Sequence, residues 1–303
     1  MSENVLEVNG LVKDFDGKRA VNDISFNLRK GEIMGMLGPN GAGKTTTIRM
    51  IMNIIAPDSG SIRILGREFS EEMKDRVGYL PEERGLYRKM KIMDTLVYLG
   101  ELKGLKAAEV RKRGLSLLER FGLGEYQDKK VEELSKGMAQ KLQFIATILH
   151  EPDLLILDEP FSGLDPLNIE LVKDIILEKK SQGIPIIFST HLMEYAEKTV
   201  DTVVMINQGS KVLDGSLQQI KTEHGKKLFR VSCEGDASFV VGLPYVKEVR
   251  NQGRELEIEL HSLADKEKLL SDLLTRVSLL SFAVADPSLA NIFLQKVNSG
   301  EER

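Results

Sequence analysis

Hydrophobic and polar residues alternate along the first part of the chain, over residues 5–30. A side-chain period of two is typical of strands with one buried face. The pair Asp16-Gly17 interrupts the alternation with residues that favour tight turns. The pattern therefore predicts an antiparallel hairpin region with strands at Val5–Val8 and Ser25–Leu28.

Further along, the apolar residues come in short unbroken runs, which is typical of strands buried on both faces of a parallel sheet. The runs are Ile33–Leu37, Leu154–Leu157, Ile184–Phe188 and Val203–Ile206. A short pair of strands is also expected around residues 61–65 and 77–80, and a helix over Thr45–Met52. Strands of this kind, separated by helical stretches, predict an α/β core.

The pattern becomes helical between about residues 92 and 150, where Leu115, Leu118 and Phe121 recur at spacings of three. Composition then shifts near residues 221–225, and we place a domain boundary there. Beyond it we expect strands at 227–233, 246–251 and 255–260, a helix at 263–275, a strand at 278–285 and a helix at 287–297. The predicted domains are therefore 1–221, with a helical subdomain at about 86–150, and a small α+β domain at 222–303.

Composition narrows the classes of function. The chain has 303 residues, of which 42 are basic and 46 acidic, and this balance does not favour nucleic acid as a ligand. The single cysteine, Cys233, excludes an internal disulfide and is expected to be a small buried hydrophobe. We expect no signal peptide, because no basic and apolar block follows the first residues. No run approaches the roughly 18 apolar residues that span a bilayer.

One segment carries a strong chemical signal, because residues 38–45 fit the pattern Gly-x-x-x-x-Gly-Lys-Thr. It lies between a predicted buried strand and a predicted helix, where the backbone N–H groups of a glycine-rich loop can surround a phosphate. The lysine would contact the β- and γ-phosphates, and the threonine hydroxyl would bind Mg²⁺. The residues are Gly38, Pro39, Asn40, Gly41, Ala42, Gly43, Lys44 and Thr45, followed by Thr46.

Two other patterns are weaker when taken alone. Asp158 and Glu159 end an apolar strand, so they could hold Mg²⁺ and activate water, or they could be a solvated or helix-capping acidic pair. Ser135 and Gly137 precede a predicted helix, which makes either an anion site or a plain N-cap.

Together these segments resemble the ATP-binding cassette (ABC) ATPases over roughly residues 5–220. Residues 38–45 match the family's Walker A motif and 154–159 its Walker B motif. Residues 134–138 match the signature motif, 162–165 the D-loop and 189–191 the switch-histidine loop. The resemblance implies a P-loop ABC fold with a mixed, mainly parallel sheet core, an antiparallel β subdomain and a helical subdomain, followed by the small α+β domain.

The resemblance also implies the ligands and a mechanism. ATP with Mg²⁺ would lie between the phosphate loop of one subunit and Ser135 and Gly137 of another. Glu159 would act as the base toward water, and His191 would bind the γ-phosphate. Asp165 would cross the subunit interface.

For three of these residues an ordinary structural role is open. His191 could be a histidine in a turn, Asp165 a turn former before a proline, and Phe15 a core residue at a strand end. The resemblance implies instead that Phe15 stacks on the adenine ring.

Two positions depart from the family pattern. Glu82 stands where the family normally has Gln, and a carboxylate is the better ligand for Mg²⁺. Its charge near a triphosphate must be offset by the metal or by Arg84. Lys136 and Met138 replace the usual Gly and Gln of the signature motif. These variants resemble a subgroup of bacterial sodium and antibiotic exporter ATPases. So do residues 286–294, near the end of the C-terminal domain.

The resemblance implies an ATPase that energises a membrane exporter. Its expected partners are a separate membrane-spanning permease, gripped by the groove between the core and residues 83–105, and a second cassette in a homo- or heterodimer. The protein would then lie in the cytoplasm, on the inner face of the cell membrane. The alternatives are a soluble non-transport ABC ATPase acting on a macromolecular partner, and a nucleotide-dependent regulatory module with little hydrolysis.

Overall fold

The computed structural model describes residues 4–68, 70–83, 85–225, 228–252, 255–285 and 288–300. The chain forms two compact units, Met1–Asp214 and Gly215–Arg303. Residues 221–225, where the composition shifts, lie in a helix of the second unit, so the unit border precedes the boundary placed at 221/222.

The first unit is organised around one ten-stranded sheet of spatial order β5-β4-β1-β2-β10-β9-β3-β8-β7-β6. Strands β1, β2, β4 and β5 form antiparallel pairs, whereas strands β9, β3, β8, β7 and β6 run parallel to one another. The strands are β1 Asn4–Phe15, β2 Lys18–Arg29, β3 Ile33–Leu37, β4 Ser59–Ile64, β5 Arg67–Glu68, β6 Val77–Leu80, β7 Leu154–Asp158, β8 Ile186–Thr190, β9 Thr202–Asn207 and β10 Ser210–Ser216.

Helices follow or connect these strands. They are α1 Lys44–Ile51, α2 Ile92–Leu102, α3 Ala107–Arg120, α4 Lys136–Ile148, α5 Pro166–Ser181 and α6 Met193–Glu197, with single 3₁₀ turns at Glu71–Arg76, Gly124–Tyr126 and Val131–Glu133. Helices α2, α3 and α4 pack on one another and form a helical layer within the predicted region 86–150.

The expected α/β core is confirmed. The unbroken apolar runs became the central strands β3, β7 and β8, and every residue of these strands is buried. The hairpin is also confirmed, although its strands extend to the turn at Asp16-Gly17. The two short strands do not pair with each other, because β4 lies beside β1 and β6 forms the opposite edge beside β7.

The second unit contains a four-stranded antiparallel sheet of order β12-β13-β11-β14. Its elements are α7 Leu217–Gly225, β11 Leu228–Glu234, β12 Val246–Gln252, β13 Glu255–Leu260, α8 Lys266–Arg276, β14 Ser278–Val284 and α9 Leu289–Gly300, with 3₁₀ turns at Ser238–Gly242 and Leu263–Asp265. From β11 onward this is the predicted β-β-β-α-β-α order, whereas α7 was not predicted. Its core includes Phe229, Ile258 and Leu269.

The structure also bears on the burial of the single cysteine and on membrane-spanning helices. Cys233 is a free thiol, but it is only half-buried, so its expected full burial is wrong. Of the helices that the structure describes, none is both long and apolar enough to cross a bilayer.

Candidate functional site

Three neighbouring parallel strands, β3, β8 and β7, bring the predicted chemical residues to one edge of the sheet. Leu37 at the end of β3 pairs with Thr190 at the end of β8. Ser189 in turn pairs with Asp158 at the end of β7. Because the carboxyl ends of parallel strands meet at one edge, segments far apart in the sequence converge there.

The loop after β3 turns directly into α1. Gly43 lies in the left-handed region at φ 109°, and a Cβ there would lie 2.6 Å from the carbonyl oxygen of Ala20. At Gly38 a Cβ would approach the carbonyl oxygen of Ile206 to 2.1 Å, so glycine is needed at both positions. No side chain caps the start of α1, which leaves the first amides of the helix to an anion.

Lys44 is almost fully buried at the first position of α1, with 5% of its surface exposed. Its Nζ donates to the carbonyl oxygens of Gly38 at 2.8 Å and Pro39 at 3.1 Å. The same atom lies 3.6 Å from Oε1 of Glu159. A buried ammonium therefore points along the phosphate loop toward a buried carboxylate.

Asp158 is fully buried, and only one of its carboxylate oxygens is paired among the described residues. Oδ1 accepts from the hydroxyls of Ser189 and of Thr45, the latter at 3.2 Å. Oδ2 is buried and has no hydrogen-bond partner in the described part of the chain. Burial raises the pKa of Asp158, and repulsion from Glu82 and Glu159 raises it further. The hydrogen bonds from Ser189 and Thr45 lower the pKa but do not outweigh burial.

This arrangement fits a divalent cation. A buried carboxylate with an unpaired oxygen is costly unless a cation offsets it, and carboxylate and hydroxyl oxygens are ligands that Mg²⁺ accepts. Glu82 is exposed, and its Oε2 lies 3.5 Å from the hydroxyl oxygen of Thr45. The described residues contain no cluster of three or more His, Cys, Asp or Glu side chains that could hold a metal by themselves. Remaining ligands would come from phosphate or water.

Glu159 lies one residue beyond β7 and is 5% exposed. Its backbone has φ +50°, an uncommon conformation for a residue with a side chain, and its amide donates to Oγ of Ser189 at 3.0 Å. One carboxylate oxygen lies 3.0 Å from Nδ1 of His191, and the other accepts from the hydroxyl of Thr190 at 3.3 Å. Glu159 is thus held in one orientation from several sides.

A cavity of about 600 Å³ opens over these groups. Of the predicted residues, it is lined by Phe15, Asn40, Gly41, Gly43, Lys44, Thr45, Thr46, Glu82 and Glu159. Phe15 is 43% exposed, which does not fit the alternative of a core residue. One part of the cavity wall is therefore an aromatic ring, and another part is the phosphate loop.

The remaining wall of the cavity was not predicted. It consists of Lys18, Arg19 and Ala20, which follow the β1–β2 turn, and of Gln208 and Gly209, which follow β9. The Asn22 amide donates to the carbonyl oxygen of Gly209 and fixes these segments together. The turn at Asp16-Gly17 was predicted, but no local pattern showed that the residues after it meet Gln208 and Gly209 beside the phosphate loop.

Ser135, Gly137 and Asp165 lie outside this cavity, as far as its described lining residues show. Ser135 is the N-cap of α4, and its Oγ accepts from the Met138 amide at 3.3 Å. Asp165 is the N-cap of α5, where its Oδ1 accepts from the Asn168 amide at 3.0 Å. Arg84, expected as an offset for Glu82, lies outside the described residues.

A second, largely apolar cavity of about 380 Å³ lies between the sheet and the helical layer of the first unit. Its lining includes Ile54, Tyr79, Leu99, Leu102, Lys103 and His150. Ile54 and Leu102 are 57% and 60% exposed, which is unusual for large aliphatic side chains. Burial raises the pKa of Tyr79 to about 12 and lowers that of His150 to about 4, so both rings are uncharged near neutral pH. We call this surface the helical groove.

Comparison with known families and proteins gives consistent matches. Residues 21–162 match the ABC transporter family, and residues 215–297 match the C-terminal domain of DrrA1-3-like ATP-binding proteins. The uncharacterized ABC transporter ATP-binding protein YhaQ of Bacillus subtilis is 39% identical over 97% of this chain and 99% of its own length.

Other relatives have named activities. The linearmycin resistance ATP-binding protein LnrL of B. subtilis is 33% identical over 96% of this chain and 97% of its own length. The daunorubicin/doxorubicin resistance ATP-binding protein DrrA of Streptomyces peucetius is 30% identical over 95% and 91%. A solved structure of an ATP-binding subunit of an ABC transporter, 34% identical, covers 73% of this chain and 93% of its own with a TM-score of 0.69.

Proposed function

Because this chain belongs to the ATP-binding proteins of ABC transporters and is an ATPase, we propose that it drives export through a separate membrane-spanning permease. Relatives similar over nearly the whole chain are named for antibiotic resistance, which supports export as the direction of transport. Membership of a transporter family favours this function over a soluble non-transport ATPase. The single observation that carries the chemistry is the buried Glu159 between Lys44 and His191.

ATP binds in the cavity over the phosphate loop in this proposal. The adenine ring stacks on Phe15, whose ring face is accessible. The phosphates lie on the amides between Gly38 and Thr46 and on the uncapped start of α1. Lys44 exchanges its backbone carbonyl partners for the β- and γ-phosphates, because an ammonium–phosphate contact is the stronger, charge-assisted bond.

Glu159 is the general base that takes a proton from the attacking water. It fits this role because its carboxylate is buried, oriented by Thr190 and His191 and adjacent to the phosphate-binding lysine. His191 keeps Glu159 in place through Nδ1, and its ring, which is 41% exposed, would contact the γ-phosphate of bound ATP. Asp158, Thr45 and Glu82 would hold Mg²⁺, which supplies positive charge to the phosphates when bound.

Glu82 provides a test of the metal assignment. We expect Glu82→Gln to need several-fold more Mg²⁺ for half-maximal ATPase activity, because an amide oxygen carries no charge, and Glu82→Ala to need more again. The measurement is a Mg²⁺ titration of turnover in the three proteins. Glu83→Gln is the matched control, because Glu83 is the next residue and pairs with Arg49 rather than Thr45. Identical Mg²⁺ dependence in all proteins would remove Glu82 from the metal site.

A second cassette completes the site in this proposal. Ser135 and Gly137 lie at a helix start that could receive a phosphate, yet they do not line the cavity of their own chain. Supplying them from a second chain, together with Asp165, explains how one ATP holds two chains together. The second cassette is a copy of this chain or a related one.

The helical groove is the proposed docking site for the permease. It is largely apolar, and its exposed Ile54 and Leu102 need a cover that a cytoplasmic segment of the permease would supply. In this arrangement the protein lies in the cytoplasm on the inner face of the membrane, held there by the permease. No nucleic-acid partner is proposed.

Membrane recruitment tests the proposed function. We expect Leu102→Glu to release the chain from membranes that contain its permease and to abolish export, while ATP binding persists. Leu115→Glu is the matched control, since Leu115 is a partly exposed leucine of α3 outside the groove lining. The measurement is the fraction of chain that sediments with membranes. Equal membrane binding by both variants and the unmodified chain would refute docking in the helical groove.

A further inference from the structure

The sheet of the second unit has two edges, β12 and β14, and they differ sharply in character. An edge strand presents unpaired amides and carbonyls that can pair with another chain, and proteins usually protect such edges with charged side chains. β12 carries Lys247, Glu248 and Arg250. β14, of sequence Ser-Leu-Leu-Ser-Phe-Ala-Val, carries no charged residue.

The β14 edge also exposes apolar side chains. Leu280 is 62% and Val284 is 64% exposed, and Leu274 of the adjacent α8 is 62% exposed. An edge strand that lacks charge and carries exposed aliphatic side chains is open to pairing with another strand.

The register of β14 decides which part of it can pair. Residues 281–284 pair regularly with β11, from Ser281 opposite Ser232 to Val284 opposite Phe229. The register then shifts so that Leu279 lies opposite Cys233, which makes Leu280 the extra residue of a β-bulge. The regular segment therefore begins after the bulge.

Backbone directions follow from one hydrogen bond. The amide of Ala285 donates to the carbonyl oxygen of Leu228, so Ala285 faces β11. Because backbone groups alternate in direction along an antiparallel strand, Ala283 also faces β11. Phe282 and Val284 then direct their amides and carbonyls to the open edge of the sheet.

We propose that residues 281–285 pair antiparallel with the same residues of a second copy of this chain, about a two-fold axis at Ala283. The backbone N–H and C=O groups of Phe282 in one copy then form hydrogen bonds with those of Val284 in the other. Both residues direct these groups toward the open edge, as this pairing requires. The two Ala283 residues meet as a non-hydrogen-bonded pair.

Self-pairing is favoured over another occupant because the segment is complementary to itself. A two-fold axis brings identical strands together, so a charged residue at the centre of β14 would lie beside the same charge in the other copy and repel it. β14 has no charged residue. The axis also brings the exposed Val284 of both copies to one interface. This pairing needs no nucleotide, and it goes beyond the proposed ATP-dependent association of cassettes.

Cysteine cross-linking of the full chain without nucleotide tests the proposal. In a Cys233→Ser background, Ala283→Cys leaves one thiol per chain, so any disulfide joins two chains. A non-hydrogen-bonded pair has Cα atoms about 4.5 Å apart, within the range of a disulfide. Asn251→Cys on the charged edge β12 is the matched control.

We expect the Ala283→Cys chain to form a disulfide-linked dimer under mild oxidation at least tenfold faster than the Asn251→Cys chain. Adding Val284→Lys, at an exposed position that should not disturb folding, should reduce this to the control rate. Equal rates for the two cysteine chains, or a disulfide that forms only with ATP, would overturn the proposal. Either result leaves the ATPase assignment intact, since that assignment is tested separately by nucleotide retention in Glu159→Gln.

Discussion

We expect Glu159→Gln to abolish turnover and to leave ATP bound. Glutamine keeps the shape of the side chain but cannot accept the proton of the attacking water, and loss of a general base typically costs about 10²–10⁴ in rate. The phosphate-binding amides and Lys44 are unchanged, so affinity for ATP should persist. Removing the carboxylate from the 3.6 Å contact with Lys44 also leaves that ammonium free for phosphate.

The measurement is steady-state hydrolysis together with retention of labelled ATP during a chase with unlabelled ATP. We expect no measurable turnover and slow release of label. Glu83→Gln provides the control for an added amide near the site, because Glu83 pairs with Arg49 at the surface. Turnover within a few-fold of the unmodified protein would exclude Glu159 as the base.

Lys44→Ala should have the second large effect, which is on binding. A hydrogen bond to a charged group contributes about 1.5–3 kcal/mol, so its loss weakens ATP binding roughly 10- to 150-fold. The substitution also leaves Glu159 buried without its cationic neighbour, which repels the γ-phosphate further.

Titration of the protein with ATP, followed calorimetrically, measures this loss. Lys30→Ala, at an exposed lysine between β2 and β3, controls for the loss of one positive charge. Unchanged affinity in the Lys44→Ala protein would contradict the role of Lys44 at the phosphates.

Most of the architecture was readable from the sequence because its signals are local. The unbroken apolar runs required burial on both faces, and this alone predicted β3, β7 and β8. The order of elements in the second unit followed from alternation and spacing in the same way. The helix α5 was not predicted, because Asp before Pro suits a turn as well as a helix start; in the structure Asp165 is the N-cap of α5.

The candidate site was predicted only where its residues lie next to one another in the sequence. Gly38–Thr45 and Asp158-Glu159 lie in contiguous motifs, so their chemistry could be read directly. Ser189 lies inside a matched motif, but the sequence indicates no particular role for its hydroxyl. Its hydroxyl donates to Asp158, and its Oγ accepts from the amide of Glu159. That bracing depends on the register between β7 and β8, which no local pattern contains.

In the proposed arrangement each ATP site is shared between two chains, and complementation between two inactive variants tests this sharing. Lys44→Ala disables the phosphate loop of a chain. Ser135→Asp keeps a good N-cap for α4 but places a carboxylate against the γ-phosphate, so it disables the opposite half of the site. Each protein alone should be inactive.

A mixed dimer, however, contains one site built from two intact halves. If the two proteins exchange chains at random, an equal mixture should recover about a quarter of the unmodified activity. The measurement is the ATPase rate of the mixture against each component. Recovered activity is the result that the shared site predicts, and a mixture as inactive as its components would contradict it.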